Sequence, residues 1–238
     1  MPIETVAPTI AATVPTLVRG TLTATVTATD DVTPAPLLAL RCRVDTRDWA
    51  ACGPTYTATG LSTGGHTFTA QAIDQSGNVG TWTATFRSDV TSPAVPTFTA
   101  PTATTYLTSP VTYSYRSTDV GSAVANYDLR YRTATPTSGF PSTYSTPSGW
   151  SRRTSTSVSV ALAPGQEACV SARARDAAGN VSAWSADRCT GTPIDDRSLS
   201  AGVGPVQPGP FGIAFGVRLL RPAGGVRPAG TRVAGLGA

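Results

Sequence analysis

Ala72–Thr83 reads AIDQSGNVGTWT, and Ala174–Ser185 reads ARDAAGNVSAWS. Six of the twelve positions agree, and 102 residues separate Asp74 from Asp176. The shared letters are those of a tight turn. An Asp side chain accepts backbone N–H groups two or more residues on. Gly77 and Gly179 permit positive φ, which Asn also tolerates. Val79 and Trp82, like Val181 and Trp184, are expected to re-enter a core. Each copy is therefore read as ending one strand and beginning the next. A calcium role for Asp74 and Asp176 is set aside, because one Asp per loop falls short of the roughly 6–8 oxygen ligands the ion takes.

Alternation on either side of the phrase supports this reading, since a strand with one buried face alternates with period 2. In the first half, Leu22, Ala24, Val26 and Ala28 share a face opposite Thr, and Leu38, Leu40, Cys42 and Val44 form another. His66, Phe68, Ala70 and Ala72 follow, then Trp82, Ala84 and Phe86. In the second half the faces are Val111, Tyr113 and Tyr115; Tyr127, Leu129 and Tyr131; Val158, Val160 and Leu162; and Ala168, Val170, Ala172 and Ala174. A repeat of about 100 residues is the size of one immunoglobulin-type sandwich. The expectation is all-β: two tandem antiparallel immunoglobulin-like β-sandwiches with a disordered C-terminal tail. The boundaries read as an N-terminal extension over 1–15, sandwiches over 16–90 and 91–192, and a linker and low-complexity tail over 193–238. Pro93 and Pro96 mark the joint.

The four cysteines pair by hairpin symmetry. Cys169 and Cys189 are centred on Gly179, so they should face each other across the hairpin at a spacing that suits a disulfide. By parity Cys169 goes with Ser171 and Arg173 on the outer face, which predicts a surface staple. Cys42 and Cys52 are centred on Arg47 and read as a second local staple. Each closes a short loop, for ~2–3 kcal/mol. A zinc site is disfavoured, because the chain holds a single His and the spacings match no ligand pattern. Disulfides imply an oxidising location, extracellular or cell-surface.

Charge excludes other classes. The formal net charge is +4, but five of the 18 Arg follow Asp196, where no acid occurs. The first 196 residues carry 13 Arg against 14 acids. A footprint for phosphate backbones is missing, so nucleic acid is not an expected partner. No run of 18 apolar residues is present, so no spanning helix is expected. The first residues lack a signal peptide's basic and apolar regions, so the start reads as internal or truncated.

The stretch from Cys42 to Asn78 resembles the bacterial Ig-like modules of secreted and surface proteins, at Cys42, Trp49, Cys52, Gly60, Leu61, Gly64, His66, Phe68, Ala72, Asp74, Gly77 and Asn78. Asn126–Ser185 resembles a fibronectin type III-like module. The resemblance implies a sandwich fold and says little of function. It also implies a corner tyrosine where this chain has Ala168, so a packing surface is missing there. His66, at the comparable place in the first unit, reads as a strand-start His bonded to a neighbouring loop. TPIDDRSLSAG, from Thr192, resembles the opening of a further module. Residues 201–238 then contain no Asp, Glu, Asn, Ser, Tyr, Trp or Cys. Such a stretch is what GC-rich DNA encodes out of frame, and a shift after Ser200 is one reading; a genuine basic tail is the other.

No catalytic constellation is evident. Any triad must use His66, no Gly-rich loop opens a helix, and the pairs Asp30–Asp31 and Asp195–Asp196 fall in turns or a linker. The chain is read as no enzyme, with no catalytic, cofactor or metal residues, and as a monomer. The expected role is a structural spacer pair in an exported bacterial protein. The alternative is binding of surface polysaccharide or other protein domains through the insertion Thr133–Trp150, whose rings Phe140, Tyr144 and Trp150 are the candidate ligand contacts. The competing reading has those rings fold back over the sandwich edge.

Overall fold

The protein is described here by a computed structural model covering residues 4–106 and 108–194. The tail from 195 onward, with its proposed frame shift and disorder, lies outside the described residues.

Threonine-rich alternation builds the first sandwich. Its smaller sheet joins β1 (Thr9–Thr13), β3 (Leu22–Thr29) and β6 (Thr55–Ala58). The facing sheet runs β2 (Leu17–Val18), β8 (Val79–Ser88), β7 (Gly64–Ile73), β4 (Ala39–Val44) and β5 (Ala50–Ala51). Along β3 burial alternates strictly, with Leu22, Ala24 and Val26 inside and Thr outside. They meet Val44, Phe68, Ala70, Ala72 and Phe86 from the opposite sheet. This is the two-layer solution for sheets with one apolar face each. Residues 1–15 were expected to be an extension. Instead β1 pairs with β3 from Thr9↔Thr29 to Thr13↔Thr25, and Ile10 enters the core.

The second sandwich sets β9 (Thr97–Ala100), β10 (Val111–Arg116) and β12 (Ser157–Val160) against β11 (Val124–Ala134), β13 (Glu167–Asp176) and β14 (Arg188–Gly191). Its core takes tyrosines where the first takes Leu and Val: Tyr113, Tyr115 and Tyr127 pack around Leu129, Val158, Val160 and Val170. The missing corner tyrosine has a substitute. Tyr113 is fully buried on the opposite sheet, and its hydroxyl donates to the Ala168 carbonyl at 2.9 Å. Burial pushes that phenol's pKa well up. A small residue at 168 thus gives room to a ring arriving from the facing sheet.

Both disulfides form inside their own sandwich, Cys42–Cys52 and Cys169–Cys189. The expected surface staple needs correction. Cys169 does lie on the face away from the core, yet it and Ser171 are completely buried, because residues 182–187 and the 133–150 insertion cover that face. The register also differs from hairpin symmetry about Gly179. Asp176 pairs with Asn180, so the turn is centred at Ala178, and the cysteines meet only because the returning chain slips by two residues before Arg188.

Candidate functional site

The insertion follows β11 and turns back along its edge. Tyr131 and Ser145 exchange backbone hydrogen bonds at 2.9 and 2.8 Å, and Leu129 N–H donates to the Trp150 carbonyl. This return separates the three candidate rings. Trp150 is only 9% exposed and stacks at a tilt against Tyr131, 5.1 Å between centroids, as part of the core. Tyr144 and Phe140 remain half-buried on the outer face.

There they join a ladder of alternating arginines and rings. The Arg132 guanidinium lies 5.4 Å from the Phe140 ring and 5.0 Å from Tyr144. Arg130 lies 3.9 Å from Tyr144 and 4.2 Å from Trp184, and Arg173 is 4.8 Å from Trp184. Strand period explains the spacing, since Arg130 and Arg132 project to one side of β11. Asp187 fixes one end, accepting from Arg132 Nη2 at 2.7 Å and from the Tyr144 hydroxyl at 2.9 Å. Burial and that carboxylate both raise the Tyr144 pKa. Asp128 fixes the other, accepting from Arg173 Nε at 2.9 Å and from Arg152 N–H at 2.9 Å. Burial works against its ionisation, but those donors hold its carboxyl below the ordinary range. The ladder orders the outer face through cation–π contacts. A smaller version stands on the first sandwich, where Trp49 lies 4.9 Å from Arg41 and 4.4 Å from Arg43.

His66 sits at the start of β7 with both ring nitrogens engaged. Nδ1 meets Asp45 Oδ2 at 2.7 Å and Nε2 meets the Ser62 carbonyl at 2.9 Å. The ring stacks on Phe86, 5.5 Å between centroids. Two acceptors favour the imidazolium, so the pKa is raised, by Asp45 first and then Ser62. No ring nitrogen is left to take a proton from a nucleophile, which a Ser-His-Asp or Cys-His arrangement requires.

The turns form as the sequence reading expects, and they gather carboxylates that it did not see. Asp89, Asp119 and Asp176 bring oxygens within 4.8 Å of one another where the two sandwiches meet, and Glu4, Asp30 and Asp31 do so at the first. Counting one carboxylate per turn missed residues that arrive from other loops. Asp89 and Asp176 are fully buried, but their oxygens already accept from hydroxyl and amide donors. Burial opposes ionisation of Asp89, and the Ser122 and Thr91 donors more than offset it, so its pKa is lowered. Glu4 is held above its ordinary range by burial and by its bond with Asp74.

Among the described residues no helix is long and apolar enough to cross a membrane. No protein-family model matches the sequence, and no curated protein does. Solved structures are similar over most of the chain. The fibronectin(III)-like modules of Clostridium thermocellum CbhA are 12% identical, covering 82% of this chain and 100% of that one, at a TM-score of 0.42. A 1.5-MDa bacterial ice-binding adhesin is 14% identical over 80% of this chain and 67% of that one, at 0.41. SGBP-B of the Bacteroides ovatus mixed-linkage glucan utilization locus, in complex with a mixed-linkage heptasaccharide, is 10% identical over 79% and 71%, at 0.28.

Proposed function

We propose that this chain is a non-catalytic pair of structural modules, a spacer in an exported protein of the cell surface. The observation that carries the reading is the state of its chemistry-bearing side chains. Both nitrogens of His66, both oxygens of Asp89 and Asp176 and the ladder arginines are engaged in bonds that hold the two sandwiches. The two disulfides support an oxidising compartment. A monomer, and the boundaries near residue 90, belong to the same proposal.

A second reading is favoured by one feature. Phe140 and Tyr144 present partly exposed rings beside Arg132, a surface that suits a sugar ring or a protein loop. Screening the purified, oxidised chain against glycan and protein arrays decides between them. The spacer reading expects no specific ligand. A hit that Tyr144→Ala abolishes, with the melting temperature kept, would replace it by the binding reading.

A further inference from the structure

We infer that the end of each sandwich bearing the Asp-x-x-Gly-Asn turn is a socket for the acidic segment leading into it, and that the second socket fastens the two sandwiches into one rigid body. The inference deepens the spacer reading and rests on it, since a rigid junction sets a fixed distance and angle.

Asp89 is the residue seated. It is fully buried and held from both sides. Toward the first sandwich its N–H donates to the Val18 carbonyl at 2.9 Å, and Oδ1 lies 3.4 Å from the Thr63 hydroxyl. Toward the second, Ser122 Oγ donates to Oδ2 at 2.6 Å, and Asn180 Nδ2 donates to the Asp89 carbonyl oxygen at 3.0 Å. The socket therefore meets a backbone carbonyl with an amide and a carboxylate with one hydroxyl, beside the carboxylates of Asp119 and Asp176. Its floor is Gly121, where an added Cβ would stand 2.1 Å from Asp89 Oδ1, so no larger residue leaves the seat intact. Arg87 adds a bond across the joint, donating to the Gly121 carbonyl at 3.1 Å.

The first sandwich repeats the arrangement. Asn78 Nδ2 donates to the Glu4 carbonyl oxygen at 3.1 Å, as Asn180 does to Asp89. Asp30, like Asp119, closes the seat from the loop after the neighbouring strand, and each accepts a backbone N–H within its own loop. The same turn thus holds an acidic entering segment twice, with different residues around it. The occupant suited to such a socket is an extended chain with a carboxylate at the position of Asp89, as the terminal segment of a like module supplies.

The test measures ¹⁵N relaxation on the full oxidised chain and on two variants, Asp89→Ala and Gly121→Ala. The second acts from the other side of the joint, at a residue in neither core. In the unaltered protein both sandwiches should share one rotational correlation time. In each variant the times should split and shorten by roughly half, toward those of single modules, while both melting transitions persist. A variant that loses a transition is replaced by the other. Separate tumbling in the unaltered protein, or one shared time in both variants, would overturn the socket. A ligand found on the arrays would overturn the spacer reading without altering these times, so the two fail separately.

Discussion

The turns at Asp74–Asn78 and Asp176–Asn180 carry the same four bonds at the same lengths, yet the strands leaving them diverge. In each, the Asp N–H donates to the Asn carbonyl at 3.1 Å and the Gly N–H to the Asp carbonyl at 3.3 Å. The Asn N–H reaches Asp Oδ1 at 2.8 Å and its side-chain amide reaches Oδ2 at 2.7 Å. Gly77 and Gly179 have φ of 92° and 93°. In the first sandwich β8 then pairs with β7 without a break, from Ile73↔Val79 to Gly64↔Ser88. In the second, Ser182 and Ser185 interrupt the ladder. Each donates its N–H to β13, at the Ala174 and Ala172 carbonyls, and each hydroxyl accepts the N–H of that same residue. Between the two serines the register slips by one, and a one-residue slip moves a side chain to the opposite face. Trp82 accordingly packs on Phe68 at the core, whereas Trp184 is turned out between Arg130 and Arg173. Six shared letters set the turn; the letters between them decide where the tryptophan goes.

The largest effect is expected from the disulfides. Cys169–Cys189 closes the slipped hairpin where the ladder resumes, and Cys42–Cys52 closes a shorter loop beside an unbroken one. Replacing Cys169 and Cys189 by Ala should cost about 3 kcal/mol, lowering the second module's melting temperature by roughly 15 °C. Hydrogen exchange at Arg188–Gly191 should quicken with it. If those amides keep their protection, the slip is held by the serines alone and the staple does not pin the register.

The serines come next. Ala172 is fully buried, and Ser185→Ala leaves its N–H without an acceptor, at about 1–2 kcal/mol. Thr83, at the matching place in the first copy, is exposed on the outer face, so Thr83→Ala should change stability by under about 0.5 kcal/mol. Denaturant unfolding of each module measures both. Equal costs would mean that the second strand is not held by side-chain oxygens, and the contrast would collapse.

Much of this was legible beforehand because period-2 patterning and turn chemistry are local. β3, β7 and β10 bury the residues that alternation marks, and both expected cysteine pairs close, although neither hairpin keeps the symmetric register: Cys42 stands opposite Ala50, and Cys169 meets Cys189 only after the slip. Non-local features were hidden. Nothing in VSAWSAD says that two hydroxyls will replace ladder bonds, although paired serines flanking a tryptophan are the visible trace. Val79, expected inside, is 42% exposed, because it sits on the outward side at the turn's exit. The ladder needs Arg130, Arg173 and Trp184 from three separate segments, and the socket needs Asp89, Ser122 and Asn180. Of the three candidate rings, the sequence could not separate Trp150 from Tyr144, since that depends on how the insertion folds back over β11.

The smallest expected effect concerns pH, where His66 in the first module and Glu167 in the second are both raised, for opposite reasons. His66 is raised by pairing with Asp45 and Ser62, so its stabilisation is complete below about 6.5 and is lost as pH rises through the elevated folded value. Glu167 is raised by burial: it is 5% exposed, and its Oε1 finds no donor among the described residues. Its protonated form suits the fold, so its favourable contribution is complete below about 4.5 and fades as pH climbs through its own folded value. The two groups should therefore act in separate windows, Glu167 from a lower pH than His66, with Glu4 of the first module sharing the acid window because burial and Asp74 raise it too. Glu167→Gln removes the charge and the second module's window with it. That variant should be more stable than the parent by about 1 kcal/mol at neutral pH and indistinguishable from it at pH 4. A Gln variant that is weaker at pH 7 would mean that Glu167 is ionised and bonded in the fold, and that both modules depend on paired charge in the same way.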